Sequence, residues 1–200
     1  MRPTLLIATN NYGKVREILD LLGDLSARIV LPHEVGVELN PAETGSTYAE
    51  NAALKAQAFC AASGLVTLAD DSGLEVDALD GEPGIHSARY LPKVGATDAD
   101  RRKYLLSRLQ GKSQPWTAHF HCTLAIALPD RRLLFAEGDC PGEIIANEHG
   151  DNGFGYDPIF LVAESGLTMA ELPMQEKNRL SHRARAMAVA RLLLLDVLTY

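Results

Sequence analysis

Asp70 and Asp71 stand side by side after a short apolar run and are followed by Ser72 and Gly73. On an extended chain, neighbouring side chains point to opposite faces. Two such carboxylates therefore do different jobs: one can bind a metal ion while the other orients or deprotonates a water. The same residue types also make an ordinary solvated turn. The apolar stretches at 65–69 and 74–78 favour a site over a bare turn, because ligands collect at strand ends in α/β sheets. Glu43 and Glu50 add oxygen donors suited to a hard cation, and Mg²⁺ takes a few carboxylates and fills its remaining positions with phosphate oxygens and water. Glu50 can instead close a capping box with Thr47, which leaves Glu43 as the preferred ligand.

Thr9, Asn10, Asn11, Tyr12, Gly13 and Lys14 lie where an apolar strand hands over to an amphipathic helix. The positive end of a helix, its backbone N–H groups and a lysine suit a phosphate, although the G-x-x-x-x-G-K-[ST] pattern of a P-loop is absent and an ordinary βα turn reads the same way. Gly153, Phe154, Gly155, Tyr156, Asp157 and Pro158 set two aromatics between glycines. Glycine admits close backbone approach and an aromatic face can stack on a purine; a structural loop with core-packing aromatics is the alternative. Lys177, with Glu176 and Asn178, and Arg183, with Ser181 and His182, are expected to open the last helix, where they can hold a phosphate or a base carbonyl oxygen, or remain solvated cations. His119 and His121 share the polar face of a strand without a third ligand at a telling spacing. Ser72 with His182 lacks the G-x-S-x-G elbow of a hydrolase triad.

These groups need elements to position them. Residues 5–9 read as a buried strand, and Val15, Ile18, Leu19 and Leu22 recur at helical spacing behind it, which opens a βαβ unit. Residues 28–31 read as the next strand. Thr47 and Glu50 mark the start of an Ala-rich helix that runs to about residue 62. Separate strands are expected at 65–69 and 74–78, with the glycine turning the chain between them, then a loop-rich stretch at 81–97 and a helix at 98–109. Ala118, Phe120, Cys122, Leu124 and Ile126 alternate as a half-buried strand. Residues 132–137 pair with it across Pro129-Asp130-Arg131 as a hairpin, and a helix over 181–198 closes the chain.

Composition bounds the partners. The chain has 200 residues, 46% apolar and 22% charged, with a net charge of −7, so no cationic face of the kind that duplex nucleic acid requires is advertised. A small phosphorylated ligand held by a few local cations fits that balance. No apolar run is long enough to span a bilayer, and the N-terminal residues do not read as a signal peptide; the expected address is the cytoplasm. Cys60, Cys122 and Cys140 fit neither a disulfide framework nor a zinc site and read as reduced, buried residues.

In their order along the chain, these segments resemble the inosine/xanthosine triphosphate pyrophosphatase family. The resemblance lies in residues 9–14, in Thr-Tyr-Ala-Glu-Asn-Ala at 47–52, in 69–74, in Pro83-Gly84-Ile85 with Ser87-Ala88-Arg89-Tyr90, in 153–160 and in Ser181-His182-Arg183. It implies one α/β domain over residues 1–200, built as two lobes around a long, bent mixed sheet flanked by helices, with the active site in the inter-lobe cleft. It further implies a homodimer, Mg²⁺, and hydrolysis of non-standard purine nucleoside triphosphates (ITP, dITP, XTP, dXTP) to monophosphate and pyrophosphate. By position, Asp71 resembles the catalytic base, and Glu43 and Asp71 the magnesium ligands. Thr9, Asn10, Asn11, Tyr12, Gly13, Lys14, Ser72, Phe154, Gly155, Tyr156, Asp157, Lys177, His182 and Arg183 resemble the substrate-binding residues. Asn10 replaces a common glycine, and Ala42 a second acidic residue that some members carry beside the position of Glu43. Two rival readings are a septum-inhibitor-type pyrophosphatase for modified pyrimidine nucleotides and a non-catalytic nucleotide sensor; the acidic pair would have little use in the second.

Overall fold

Alternation along the first strand already decides where the helices go. In the computed structural model, which describes residues 2–198, strand β1 (Thr4–Ile7) buries Leu5 and Ile7 on one face and Leu6 on the other. Met1, Thr199 and Tyr200, which the expected domain takes in, lie outside the described residues. Helix α1 (Tyr12–Leu22) follows β1, then strand β2 (Arg28–Val30), helix α2 (Tyr48–Ser63), the long strand β3 (Val66–Val76) and helix α3 (Asp98–Leu109). Strands β4 (Trp116–Ala127), β5 (Leu133–Ile144) and β6 (Phe160–Val162) come next, and helices α4 (Met174–Leu180) and α5 (His182–Val197) close the chain. The six strands form one sheet in the order β2-β1-β3-β4-β5-β6. β1 runs parallel to both β2 and β3, whereas β5 and β6 are antiparallel, so the sheet is mixed and the fold is α/β.

The chain divides into two compact units. The first comprises Met1–Asp71, Cys122–Gly138 and Arg183–Tyr200. Its sheet carries α1 and α5 on one face, where Ile18, Leu22, Met187 and Leu194 pack on Leu5, Ile7, Leu68 and Leu124. On the other face, Ala52, Ala56 and Phe59 of α2 pack on Leu6, Ala8, Ala69 and Ala125. The order β2-β1-β3 puts the topological switch between β1 and β3, beyond whose carboxyl ends ligands bind in open α/β sheets. The second unit comprises Ser72–His121 and Asp139–His182, with a core of Leu74, Val76, Leu105, Phe120, Ile144, Tyr156 and Phe160 among others.

Three expectations are corrected. The strands foreseen at 65–69 and 74–78 are one strand, β3, which runs extended through Ser72 and Gly73; pairing inside a sheet overrides the turn preference of Asp-Asp-Ser-Gly. β5 extends to Ile144, beyond the 132–137 foreseen, because its second half pairs with β6, as in Gly142↔Val162 and Ile144↔Phe160. The closing helix forms as α5, within a residue of the 181–198 foreseen, but residues 174–180 make a separate helix, α4, and Ser181 takes an extended backbone between the two, at the N-cap position where serine competes well for backbone donors. Glu176, Lys177 and Asn178 therefore belong to α4 and do not open the last helix. The α3 bounds agree with the sequence, and the β4–β5 hairpin forms, closed by Leu128 N–H to Arg132 C=O at 3.0 Å. All three cysteines are buried, and no helix among the described residues is long and apolar enough to cross a membrane.

Leu68 is fully buried while Leu192 on α5 is 69% exposed. Leu68→Ala is expected to cost about 2–5 kcal/mol in urea denaturation, and Leu192→Ala to stay within about 0.5 kcal/mol. Similar costs for the two would contradict this packing.

Candidate active site

The period of β3 continues past its apolar part. Leu68 faces α1 and α5 while Ala69 faces α2, so Asp70 must point to the α1/α5 side and Asp71 to the α2 side. The partners of the two carboxylates confirm this. Lys14, in the first turn of α1, places Nζ 2.7 Å from Asp70 Oδ1. Arg183, in the first turn of α5, donates from Nε at 3.0 Å and Nη2 at 2.9 Å to Asp70 Oδ2, and pairs through Nη1 with Glu17 of α1. Asp70 and Arg183 are each 1% exposed. Burial alone would raise the Asp70 carboxyl, but Lys14, Arg183 and Lys55 outweigh it and hold the group far below the usual carboxylate range. Cys122 Sγ lies 3.8 Å from Asp70 Oδ2, and burial with that negative neighbour keeps the thiol protonated. Asp70 is thus a permanently charged anchor.

Asp71 has a different setting. Its Oδ1 accepts from Lys55 Nζ at 2.9 Å, and the same ammonium donates to Glu43 Oε1 at 2.9 Å. Asp71 Oδ2 is buried without a hydrogen-bond partner among the described residues. Burial raises the Asp71 carboxyl above its ordinary value, with Glu43 adding to the rise and Lys55 and Lys14 opposing it. The Lys55 ammonium is held protonated: burial works against the charge, and Asp71 and Asp70 overcome it. Glu43 and Asp71, from separate segments, therefore converge on one cationic atom. Two carboxylates that already share a cation, one with an unpaired oxygen, are a donor set that fits Mg²⁺ completed by phosphate and water. Among the described residues no group of three or more His, Cys, Asp or Glu side chains could hold a metal without such help. Glu50 is engaged elsewhere: its Oε2 accepts from the Ser46 N–H at 2.6 Å and the Ser46 hydroxyl at 2.8 Å, while Thr47 caps α2.

At the carboxyl end of β1, Asn11 caps α1 by accepting the Lys14 N–H at 3.2 Å, and Thr9 Oγ1 accepts the Asn11 N–H at 3.2 Å. Asn10, Asn11 and Tyr12 are exposed, Tyr12 at 90%, and Thr9 and Gly13 are half-buried. Ser72 is half-buried on β3 directly after Asp71.

A second group of expected residues meets within the second unit. Asp157 Oδ2 accepts from the Phe154 N–H at 3.0 Å and from Lys177 Nζ at 2.7 Å. Lys177 is 4% exposed, and its ammonium lies 5.4 Å from the centroid of the half-buried Phe154 ring. Gly153 has φ +78°, and a Cβ there would fall on the Asp157 carboxylate; only glycine lets the chain pass so close to that ion pair. Tyr156 is buried, its hydroxyl donating to Ser87 C=O at 2.9 Å. His182 is buried too, stacked on Phe120 with ring centroids 4.8 Å apart and planes 15° apart. His119 and His121 each meet a carboxylate, Nε2 to Glu75 at 3.4 Å and Nδ1 to Asp139 at 2.6 Å.

Lys55 and Glu17 escaped the sequence reading. A signal for Lys55 existed: Ala52, Lys55, Ala56 and Phe59 stand at i, i+3, i+4 and i+7, so a lysine sits on the inward stripe of α2. Glu17 lies between the apolar positions of α1 and carries no comparable mark.

Because Arg183 neutralises two buried acids, Arg183→Met is expected to lower folding stability by about 3–5 kcal/mol, read from urea denaturation. A loss below about 1 kcal/mol would show that Asp70 does not depend on it.

The Ham1 family model matches residues 5–192. A dITP/XTP pyrophosphatase of Mannheimia succiniciproducens is 46% identical over 195 residues, covering 94% of this chain and 96% of that protein. One from Synechocystis is 48% identical over 186 residues, with 92% and 91% covered. Among solved structures, a HAM1 protein from Coxiella burnetii superposes with a TM-score of 0.88 at 39% identity, covering 97% of this chain and 99% of that one. A nucleoside-triphosphatase, dITP/XTP pyrophosphatase from Mycobacterium abscessus does so at 0.75 and 36% identity, with 94% and 98% covered.

Proposed function

Because the chain belongs to the Ham1 family, we propose that it hydrolyses non-standard purine nucleoside triphosphates such as dITP and XTP. The products are the monophosphate and pyrophosphate. The observation that carries the reading is the division of labour between the adjacent carboxylates: Asp70 locked in ion pairs, Asp71 shared through Lys55 with Glu43 and left with an unpaired oxygen. The names of the relatives support a purine substrate over the modified pyrimidines of a septum-inhibitor-type enzyme, and catalysis over a mere sensor.

In this mechanism Glu43 and Asp71 would hold Mg²⁺, which when bound would offset the charge of the triphosphate. Lys14 and the start of α1, with Thr9, Asn10, Asn11, Tyr12 and Gly13, receive phosphate oxygens, and Ser72 contacts the substrate beside Asp71. Asp71 accepts a proton from a water; a carboxyl raised by burial is a stronger base than an exposed one. The water oxygen bonds to phosphorus at the α–β linkage, the anhydride P–O bond breaks, and pyrophosphate leaves with the electron pair. Catalysis is positioning and charge stabilisation. Lys55 opposes the rise that burial imposes on Asp71.

The Gly153–Asp157 segment receives the base, with the Phe154 face for stacking and Lys177 as the donor beside it; Tyr156 and His182 shape the surroundings. Hypoxanthine and xanthine present an acceptor at position 6 where adenine presents a donor, so a site donor there rejects adenine by leaving polar groups unpaired. Arg183, buried on Asp70 and Glu17, serves the substrate by holding the anchor of Lys14 in place. A cytoplasmic homodimer completes the reading.

The test is pyrophosphate release from dITP, XTP and GTP with orthophosphate assayed in parallel. Pyrophosphate is expected from dITP and XTP and little from GTP, abolished by chelator and restored by Mg²⁺. Asp71→Asn is expected to cut kcat by about 10²- to 10⁴-fold with nucleotide affinity changing far less. Orthophosphate as the product, or equal loss of binding and turnover, would contradict the mechanism.

A further inference from the structure

Gly155, between the two aromatics of the 153–157 segment, has both backbone polar groups taken by one helix. Asp98 Oδ2 accepts the Gly155 N–H at 2.8 Å, and Arg102 Nη1 donates to the Gly155 C=O at 2.8 Å. The two side chains stand four residues apart at the start of α3, hence on one face. Each is held in turn. Arg101 pairs with Asp98 and donates to Ala96 C=O at 2.9 Å, and Arg102 Nη2 pairs with Glu148 at 2.8 Å. Thr97 and Asp100 close a capping box at the same helix end, so the clamp stands on a fixed element. Burial would raise the Asp98 carboxyl, but the Gly155 N–H and Arg101 outweigh it and hold the group below its usual range.

Gly155 itself has φ +62° and nothing within 4 Å of where a Cβ would be. Its glycine identity meets a backbone requirement and fills no close contact. Packing of its own does not fix it, so its position comes from the two hydrogen bonds. On one side the Phe154 N–H is bound by Asp157, and on the other the Tyr156 hydroxyl is bound by Ser87. With Gly155 held between them, the Phe154 ring is the half-buried group that the segment presents.

We infer that Asp98 and Arg102 are positioning residues for purine recognition, fixing Gly155 and through it the place of the Phe154 ring. The inference rests on the reading of 153–157 as the base-binding segment. Neither residue touches the nucleotide. Without them the segment samples other conformations, and the base must order it on binding. The loss then falls on KM and leaves the chemical step at Asp71 alone.

The experiment compares steady-state kinetics on dITP for Asp98→Ala, Asp98→Asn, Arg102→Met, Arg102→Lys and Phe154→Ala, with inhibition by inorganic pyrophosphate measured on each. Asp98→Ala and Arg102→Met are expected to raise KM about tenfold with kcat within about twofold. Asp98→Asn, whose amide oxygen still accepts the Gly155 N–H, should recover most of the KM, and Arg102→Lys part of it. Inhibition by pyrophosphate should be unchanged throughout. A raised KM in Phe154→Ala beside unaltered Asp98→Ala and Arg102→Met would overturn the positioning role and spare the base-binding reading. An unaltered KM in Phe154→Ala would bring down that reading and the inference with it. Loss of kcat or of pyrophosphate inhibition in the α3 variants would show a general structural role instead. Should Asp98→Ala fail to fold, a wild-type KM in Arg102→Lys and Arg102→Met together decides against the inference.

Discussion

A carboxylate with almost no exposure cannot stay ionised without cations at hand, and Asp70 draws two helices to β3 to supply them. Lys14 comes from the first turn of α1, Arg183 from the first turn of α5, and Glu17 balances the surplus positive charge. Removing a buried ion from water costs several kcal/mol unless its partners are well placed. The loop after β1 and the start of α5 are therefore held in register with β3. The two-residue period of that strand then sends Asp71 to the other face, where α2 meets it with a lysine instead of an ion-pair cage. One carboxylate is fixed as an anion and its neighbour is free to exchange a proton, a separation of environments that marks acid–base sites.

The same economy governs the second unit. Lys177 and Asp157 are both buried and neutralise each other, and the Asp157 oxygen that takes the ammonium also takes the Phe154 N–H. The backbone groups of Gly155 are satisfied by side chains of α3, outside the local turn. Such a segment can present an aromatic ring in a defined place without being part of a helix or strand.

Much of this was legible in the residues. The helical spacing of Val15, Ile18 and Leu22, the Thr47 cap, the helix at Asp98–Leu109 and the alternation of β4 all describe elements that form. The opposite facing of Asp70 and Asp71 follows from strand geometry alone. The unbroken run of β3 did not follow, because turn-forming residues at 70–73 are overruled by neighbouring strands that local preference cannot see. The separate helix α4 was hidden for a different reason: residues 176–178 read as the opening of the closing helix, and a single extended residue, Ser181, parts the two. The burial of Arg183 and Lys177 was equally hidden: a cation reads as solvated until its long-range acid is known, and Asp70 is 113 residues from Arg183. Lys55 stood on the apolar stripe of α2 and was the one missed site residue that spacing could have disclosed.

The separation of the two carboxyls is the central claim, and residue-resolved titration of their side-chain carbons by NMR tests it without substrate or metal. The account has Asp71 titrating above the ordinary aspartate value of about 3.9 and Asp70 remaining ionised well below it. Asp70 titrating at or above Asp71, or the two titrating together near 3.9, would contradict it.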